Sequence, residues 1–229
     1  MEMKRVYELI KPNKDLVERF CSFWTVNGVE NWTVKLFENG EPIDIRDLIK
    51  EDDFRKMGEN DAAIRALVQE KTLEALSLIN AVYSTRVDAD EITKGLQWEQ
   101  LQENDVDWFV GHCKKKIQKN AYSFATKVYS FVRGETEPYQ FPILDSIVVT
   151  LLEQYLKDEQ AMRKKDWGSY TSFRKAYAGF VNKYELSGIP YKQIDMFLWT
   201  YGIALRAYWK KVGVLTFESV PYKAKETNE

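Results

Sequence analysis

The stretch "SFATKVYSFVRGETEPYQFPILDSIVV", Ser123 to Val149, decides how the rest of the chain is read. Phe124, Val128 and Phe131 fall at helical spacing, and Lys127 sits among them. A polar loop follows, then Pro142, and Asp145 stands at the mouth of a second apolar run. Taken singly, both polar residues have ordinary explanations. The lysine buries its stem and keeps its head in water, and the aspartate caps the first turn of a helix. Taken together, they fit a chemistry. Two helices joined by a loop can bring residues 18 positions apart face to face. An amine in an apolar pocket loses part of its preference for charge and becomes a nucleophile. It can attack a sugar C1′, displace a base and leave a Schiff base. A carboxylate beside it stabilises the cationic sugar and helps move the proton.

Working outward, the chain reads as mostly helical. A first helix runs from Asn13 or Asp15 to about Thr25, with Leu16, Phe20, Phe23 and Trp24 near one face. "WTVKLFENGEPIDI" alternates Trp32, Val34 and Leu36 and then reaches Asn39-Gly40, which predicts a small β-hairpin within residues 31–45. Asn60 is placed to cap one long helix, "DAAIRALVQEKTLEALSLINAVY". Two more helices follow, near 90–102 and 104–118, then the pair from Tyr122 to Val132 and from Leu144 to about Leu156. Ser169 or Thr171 starts the next, with Gly188 at its stop, and Pro190 opens the last long one near its first turn. The expected fold is mainly α: a compact helical bundle with at most one hairpin. It reads as a single domain over 1–229, or as two subdomains with an acidic part at 1–110 and a basic part at 111–220. Residues 221–229 read as a frayed tail.

Composition sets outer bounds. The chain has 229 residues, 45% hydrophobic and 30% charged, as in soluble globular proteins. No run approaches the 18 apolar residues of a membrane span. The N-terminus lacks the apolar core of a signal peptide, so the expected location is the cytoplasm. Two cysteines, Cys21 and Cys113, are too few for a disulfide framework or an iron–sulfur cluster. The one histidine, His112, adjoins Cys113, and neighbours on a helix point about 100° apart. No metal and no cofactor are expected.

The net charge of −2 conceals an asymmetry. Residues 1–110 carry 14 Lys/Arg against 23 Asp/Glu, and the remainder carries 19 against 12. A basic half can face phosphates although the whole chain is slightly acidic. Lys114, Lys115, Lys116 and Lys119 are its densest cluster, followed by Arg163–Lys165 and Lys210–Lys211. Each could equally be a solvated helix face.

The arrangement around Lys127 and Asp145 resembles the helix–hairpin–helix DNA glycosylases. It is most similar to the 8-oxoguanine glycosylase-like group, archaeal and other prokaryotic branches included. Lys127 falls on that family's lysine position, and "Pro142-Ile143-Leu144-Asp145" falls on its proline-to-aspartate segment. The match spans Lys119 to about Leu152, and "QIDMFLWTYG" resembles the family's closing helix. The resemblance implies a DNA glycosylase, with or without AP-lyase action, that excises an oxidised or otherwise modified base from DNA. Lys127 would be the nucleophile and Asp145 the stabiliser of the sugar cation. A flipped base must stack in a pocket, for which Phe124, Trp199, Phe197 and Trp167 are candidates, each also readable as core. Two departures stand out. The run "QKNAYSFAT" before Lys127 has no glycine, where family hairpins use glycine to approach a phosphate. The proline-to-aspartate gap is one residue longer than in the commonest pattern. Lys119, in the turn before the helix, is the alternative for the lysine role. The competing reading is a catalytically degenerate glycosylase-like module that binds nucleic acid or protein. Oligomeric state and the identity of the base are not legible.

Overall fold

The computed structural model describes residues 8–25, 33–156 and 169–212. Among these the chain forms ten α-helices and one two-stranded antiparallel sheet. Helix α1, Lys14–Ser22, starts where Asn13 Oδ1 accepts the Leu16 N–H at 2.8 Å, and it buries Leu16, Val17 and Phe20. Strands β1, Thr33–Val34, and β2, Ile43–Asp44, pair Thr33 with Asp44 and Val34 with Ile43. The hairpin is real but short. Asn39-Gly40 lies within its eight-residue connection, not in a two-residue turn, and the Gly40 N–H closes on Phe37 O at 3.2 Å. Trp32 and Trp167 lie outside the described residues.

The long central helix is corrected. Helix α2 spans Glu51–Gln69 and α3 spans Glu74–Val82, so Asn60 is interior to α2 and caps nothing. The chain turns at Lys71, which holds a left-handed φ of 56°. The Lys71 N–H bonds Val68 O and the Thr72 N–H bonds Leu67 O, both at 3.0 Å. This is the Schellman stop, which usually recruits glycine. A lysine there leaves no mark in the hydrophobic pattern. Folding α3 back onto α2 puts Ile64, Leu76 and Ile79 into one core.

The expected helix near 90–102 is likewise two: α4, Ala89–Thr93, and α5, Trp98–Glu103, separated at Gly95 with φ 75°. Helices α6, Val106–Ile117, α7, Tyr122–Val132, and α8, Ser146–Tyr155, follow. Helix α9, Tyr170–Lys183, is capped by Ser169 and ends five residues before Gly188. The last, α10, Tyr191–Lys211, begins just after Pro190. A continuous cluster of buried side chains runs from Leu16 to Trp209 through both the acidic and the basic halves.

Helix α10 packs on both α1 and α8. Its approach to α8 depends on Gly202. A Cβ there would lie 2.2 Å from Ile147 Cγ2, in the first turn of α8 beside Asp145. Gly202→Ala gains about 1 kcal/mol of helix propensity, but the overlap with a branched side chain costs about 1–3 kcal/mol. The overlap should win, so the variant melts several degrees lower. In an Ile147→Ala background, itself destabilised by the lost core side chain, Gly202→Ala should cost little or nothing in thermal melts, and an undiminished cost would place the strain elsewhere.

Candidate active site

The segment between α7 and α8 explains how Asp145 is aimed. Residues 141–145 form no ladder, so their backbone groups need other partners. Three helices supply them. The Ile143 N–H donates to Asp195 Oδ2 of α10 at 2.9 Å, and the Leu144 N–H donates to Thr126 Oγ1 of α7 at 3.1 Å. The Tyr170 hydroxyl of α9 donates to Pro142 O at 3.1 Å. The peptide is thus pinned on several sides before the first turn of α8 begins.

Asp145 then serves two neighbours with two oxygens. Oδ1 accepts the Ile147 N–H at 2.9 Å as an N-cap, and Oδ2 lies 3.4 Å from Lys127 Nζ. The helix cap and the neighbour of Lys127 are therefore the same carboxylate. Lys127, in the second turn of α7, also donates to Ser123 Oγ at 2.8 Å. The snorkelling account of Lys127 fails: the residue is only 4% exposed, and its head is enclosed with its stem. Burial lowers the tendency of this amine to hold its proton, while Asp145 pulls the other way.

Lys127 and Asp145 line a small cavity of about 30 Å³ with Trp24, Tyr83, Ile143, Val148, Lys192, Asp195, Met196 and Trp199. Such a volume holds about two waters. Trp199 belongs to its wall, in a group with Trp24 at 5.8 Å and Phe54 at 5.7 Å between ring centres. Phe124 does not reach it. That ring is buried against Phe109 at 6.0 Å, and Phe197 packs on Phe20 at 5.1 Å, so both are core. Lys119 is exposed in the turn between α6 and α7 and does not line the cavity. The geometry brings Lys127, not Lys119, to the aspartate.

Sequence reasoning missed half of the polar lining. Lys192, Asp195, Met196 and Trp199 follow one another at i, i+3, i+4 and i+7, which is one face of α10. That spacing was the available signal. Asp195 accepts from Tyr177 Oη at 2.8 Å as well as from Ile143 N. Burial pushes its carboxyl up to about 8, against the pull of those two donors and of Lys192 and Lys127. Its protonated form is thus favoured by burial, and its charged form by the donors and cations around it. The cavity thus combines two lysines, two aspartates and aromatic walls.

Lys114, Lys115 and Lys116 occupy the last turn of α6, where cations also complement the helix dipole. The turn that follows keeps a left-handed residue although it lacks glycine: Gln118 has φ 56° and bonds Lys114 O at 3.0 Å. His112 reaches Ile92 O at 2.8 Å and stacks on Trp108 and Phe109. Among the described residues no cluster of three or more His, Cys, Asp or Glu side chains could hold a metal, and no helix is long and apolar enough to cross a membrane. Arg163–Lys165 lie outside the described residues. Comparison with known protein families, curated proteins and solved structures finds no match to this chain.

If the α6 lysines meet phosphates, replacing Lys114, Lys115 and Lys116 by Gln should weaken DNA binding and reduce its salt slope. The slope should fall by about one for each phosphate that is no longer neutralised. Titrations at several salt concentrations measure both. Unchanged affinity and slope would leave these lysines as a solvated helix end.

Proposed function

We propose that this protein is a DNA glycosylase, with or without AP-lyase action, that removes an oxidised or otherwise modified base. The observation that carries the reading is the Lys127–Asp145 pair, 3.4 Å apart inside an aromatic-walled cavity whose burial disfavours the ammonium. The likeness of its sequence segment to the helix–hairpin–helix glycosylases supports it. In the proposed reaction the free amine of Lys127 attacks C1′ of the damaged nucleotide. The C1′–N bond breaks, and its electron pair leaves with the base, which takes up a proton. Asp145 offsets the positive charge that develops on the sugar between these events. Loss of a proton from the new C1′–N linkage and opening of the sugar ring then give the Schiff base. A 2′ proton can next be lost with departure of the 3′ phosphate, which is the lyase step.

One observation favours the competing reading, a degenerate binding module. A cavity with room for about two waters does not admit a base until its walls part. The glycosylase reading therefore requires Trp24, Met196 or Trp199 to move when DNA binds. The test is incubation with a panel of damaged and abasic oligonucleotides in the presence of borohydride, followed by denaturing gels. A covalent adduct on one of them is expected. Binding with neither adduct nor base release on any member would favour the module.

A further inference from the structure

The cavity holds a second enclosed cation that the proposed reaction does not use. Lys192, at the start of α10, pairs with Asp61 Oδ2 of α2 at 3.0 Å and donates to the Tyr83 hydroxyl at 3.1 Å. The Tyr83 hydroxyl in turn donates to Asp61 Oδ1. The Lys192 ammonium lies 4.3 Å from the Phe131 ring centre and 5.4 Å from that of Tyr83. Lys127 Nζ stands 5.7 Å from the same Tyr83 ring. A brace between α2 and α10 needs no charges, because apolar residues of similar volume usually serve as well or better in such a place.

We propose that Lys192 is a positioning residue for Lys127: anchored by Asp61 and Tyr83, it holds a fixed positive charge beside the ring both lysines share, and that charge favours the free amine. The groups that face Lys127 are Ser123 of its own helix, Asp145 of α8, Asp195 and Lys192 of α10, and Tyr83 after α3, with Asp61 of α2 behind Lys192. Arg65 of α2 lies further along, over Phe131 and paired with Glu135. Burial is the largest influence disfavouring the ammonium. Asp145 and Asp195 oppose it, and Lys192 reinforces it. The two aspartates position the lysine, and Lys192 keeps them from holding its proton too firmly. The purpose of this device rests on the glycosylase reading; its physical effect does not.

The test follows the titration of Lys127 directly, by the ¹³Cε resonance of labelled lysine across the lysine range, with Lys127→Gln assigning the signal. Lys192→Gln keeps hydrogen-bonding capacity toward Asp61 and Tyr83 but removes the charge. It should raise the Lys127 midpoint by roughly half a pH unit or more. An Asp61 left ionised would push it further the same way. Lys192→Arg, which keeps the charge, should stay near wild type. If Lys192→Gln does not fold, the double variant with Asp61→Asn is compared with Asp61→Asn alone, and the same upward movement is expected. An unmoved midpoint in folded protein overturns the proposal and leaves Lys192 as a brace, even if borohydride traps an adduct. A moved midpoint without any adduct upholds the role of Lys192 and sinks the glycosylase reading instead.

Discussion

Lys127→Gln is expected to abolish the borohydride-trapped adduct, lowering its yield by roughly 10³-fold or more, as loss of a nucleophile does. The protein should nevertheless fold. The lysine head is enclosed, so its removal is not neutral by default. Leaving Asp145 without its cation costs stability. Against this, the glutamine amide can still donate to Ser123 and Asp145, and the variant no longer buries an ammonium that its surroundings disfavour. These effects nearly offset, leaving a change of about 1 kcal/mol or less. Circular dichroism melts and gel-resolved trapping check the two halves together. Trapping that survives in Lys127→Gln and disappears in Lys119→Gln would assign the chemistry to the exposed turn and break the link with the cavity.

Asp145 offers the second large effect, because its two oxygens have separable tasks. Asparagine is nearly as good an N-cap as aspartate, so Asp145→Asn should cost a few tenths to about 1 kcal/mol. It removes the charge next to Lys127, which a developing sugar cation needs. Base release in single-turnover assays should fall by roughly 10²–10³-fold. DNA binding should be unchanged or tighter, since an anion near the phosphates is gone. Asp145→Ala should lose the activity and about 1 kcal/mol more, because the bond to the Ile147 N–H is lost too. An Asn variant with full stability and an undiminished rate would reduce Asp145 to a helix cap.

Local signals in the sequence determined much of this molecule. The bounds of α7 follow from apolar spacing, and Asn13, Asp145 and Ser169 cap helices where short polar side chains precede apolar runs. The pairing of Lys127 with Asp145 was also legible, through a likeness in one segment and the loop that joins two helices. Hydrophobic period, however, does not register a reversal made by a non-glycine residue. Lys71 therefore hid the break between α2 and α3, and the Asn60 cap was misplaced. Only the tertiary structure decided which polar residues share the cavity. Tyr83, Lys192 and Asp195, with Asp61 behind Lys192, come from three separate stretches of chain, and each alone reads as an ordinary helix or turn residue. Their proximity depends on α10 lying close against α8 at Gly202 and on α2 passing at Gly58, where a Cβ would sit 1.8 Å from Trp24 O. Burial is a property of that packing, not of any segment. It makes the Lys127 amine a weaker base and the Asp195 carboxyl a weaker acid, so the chemistry of the site appears only when the helices are assembled.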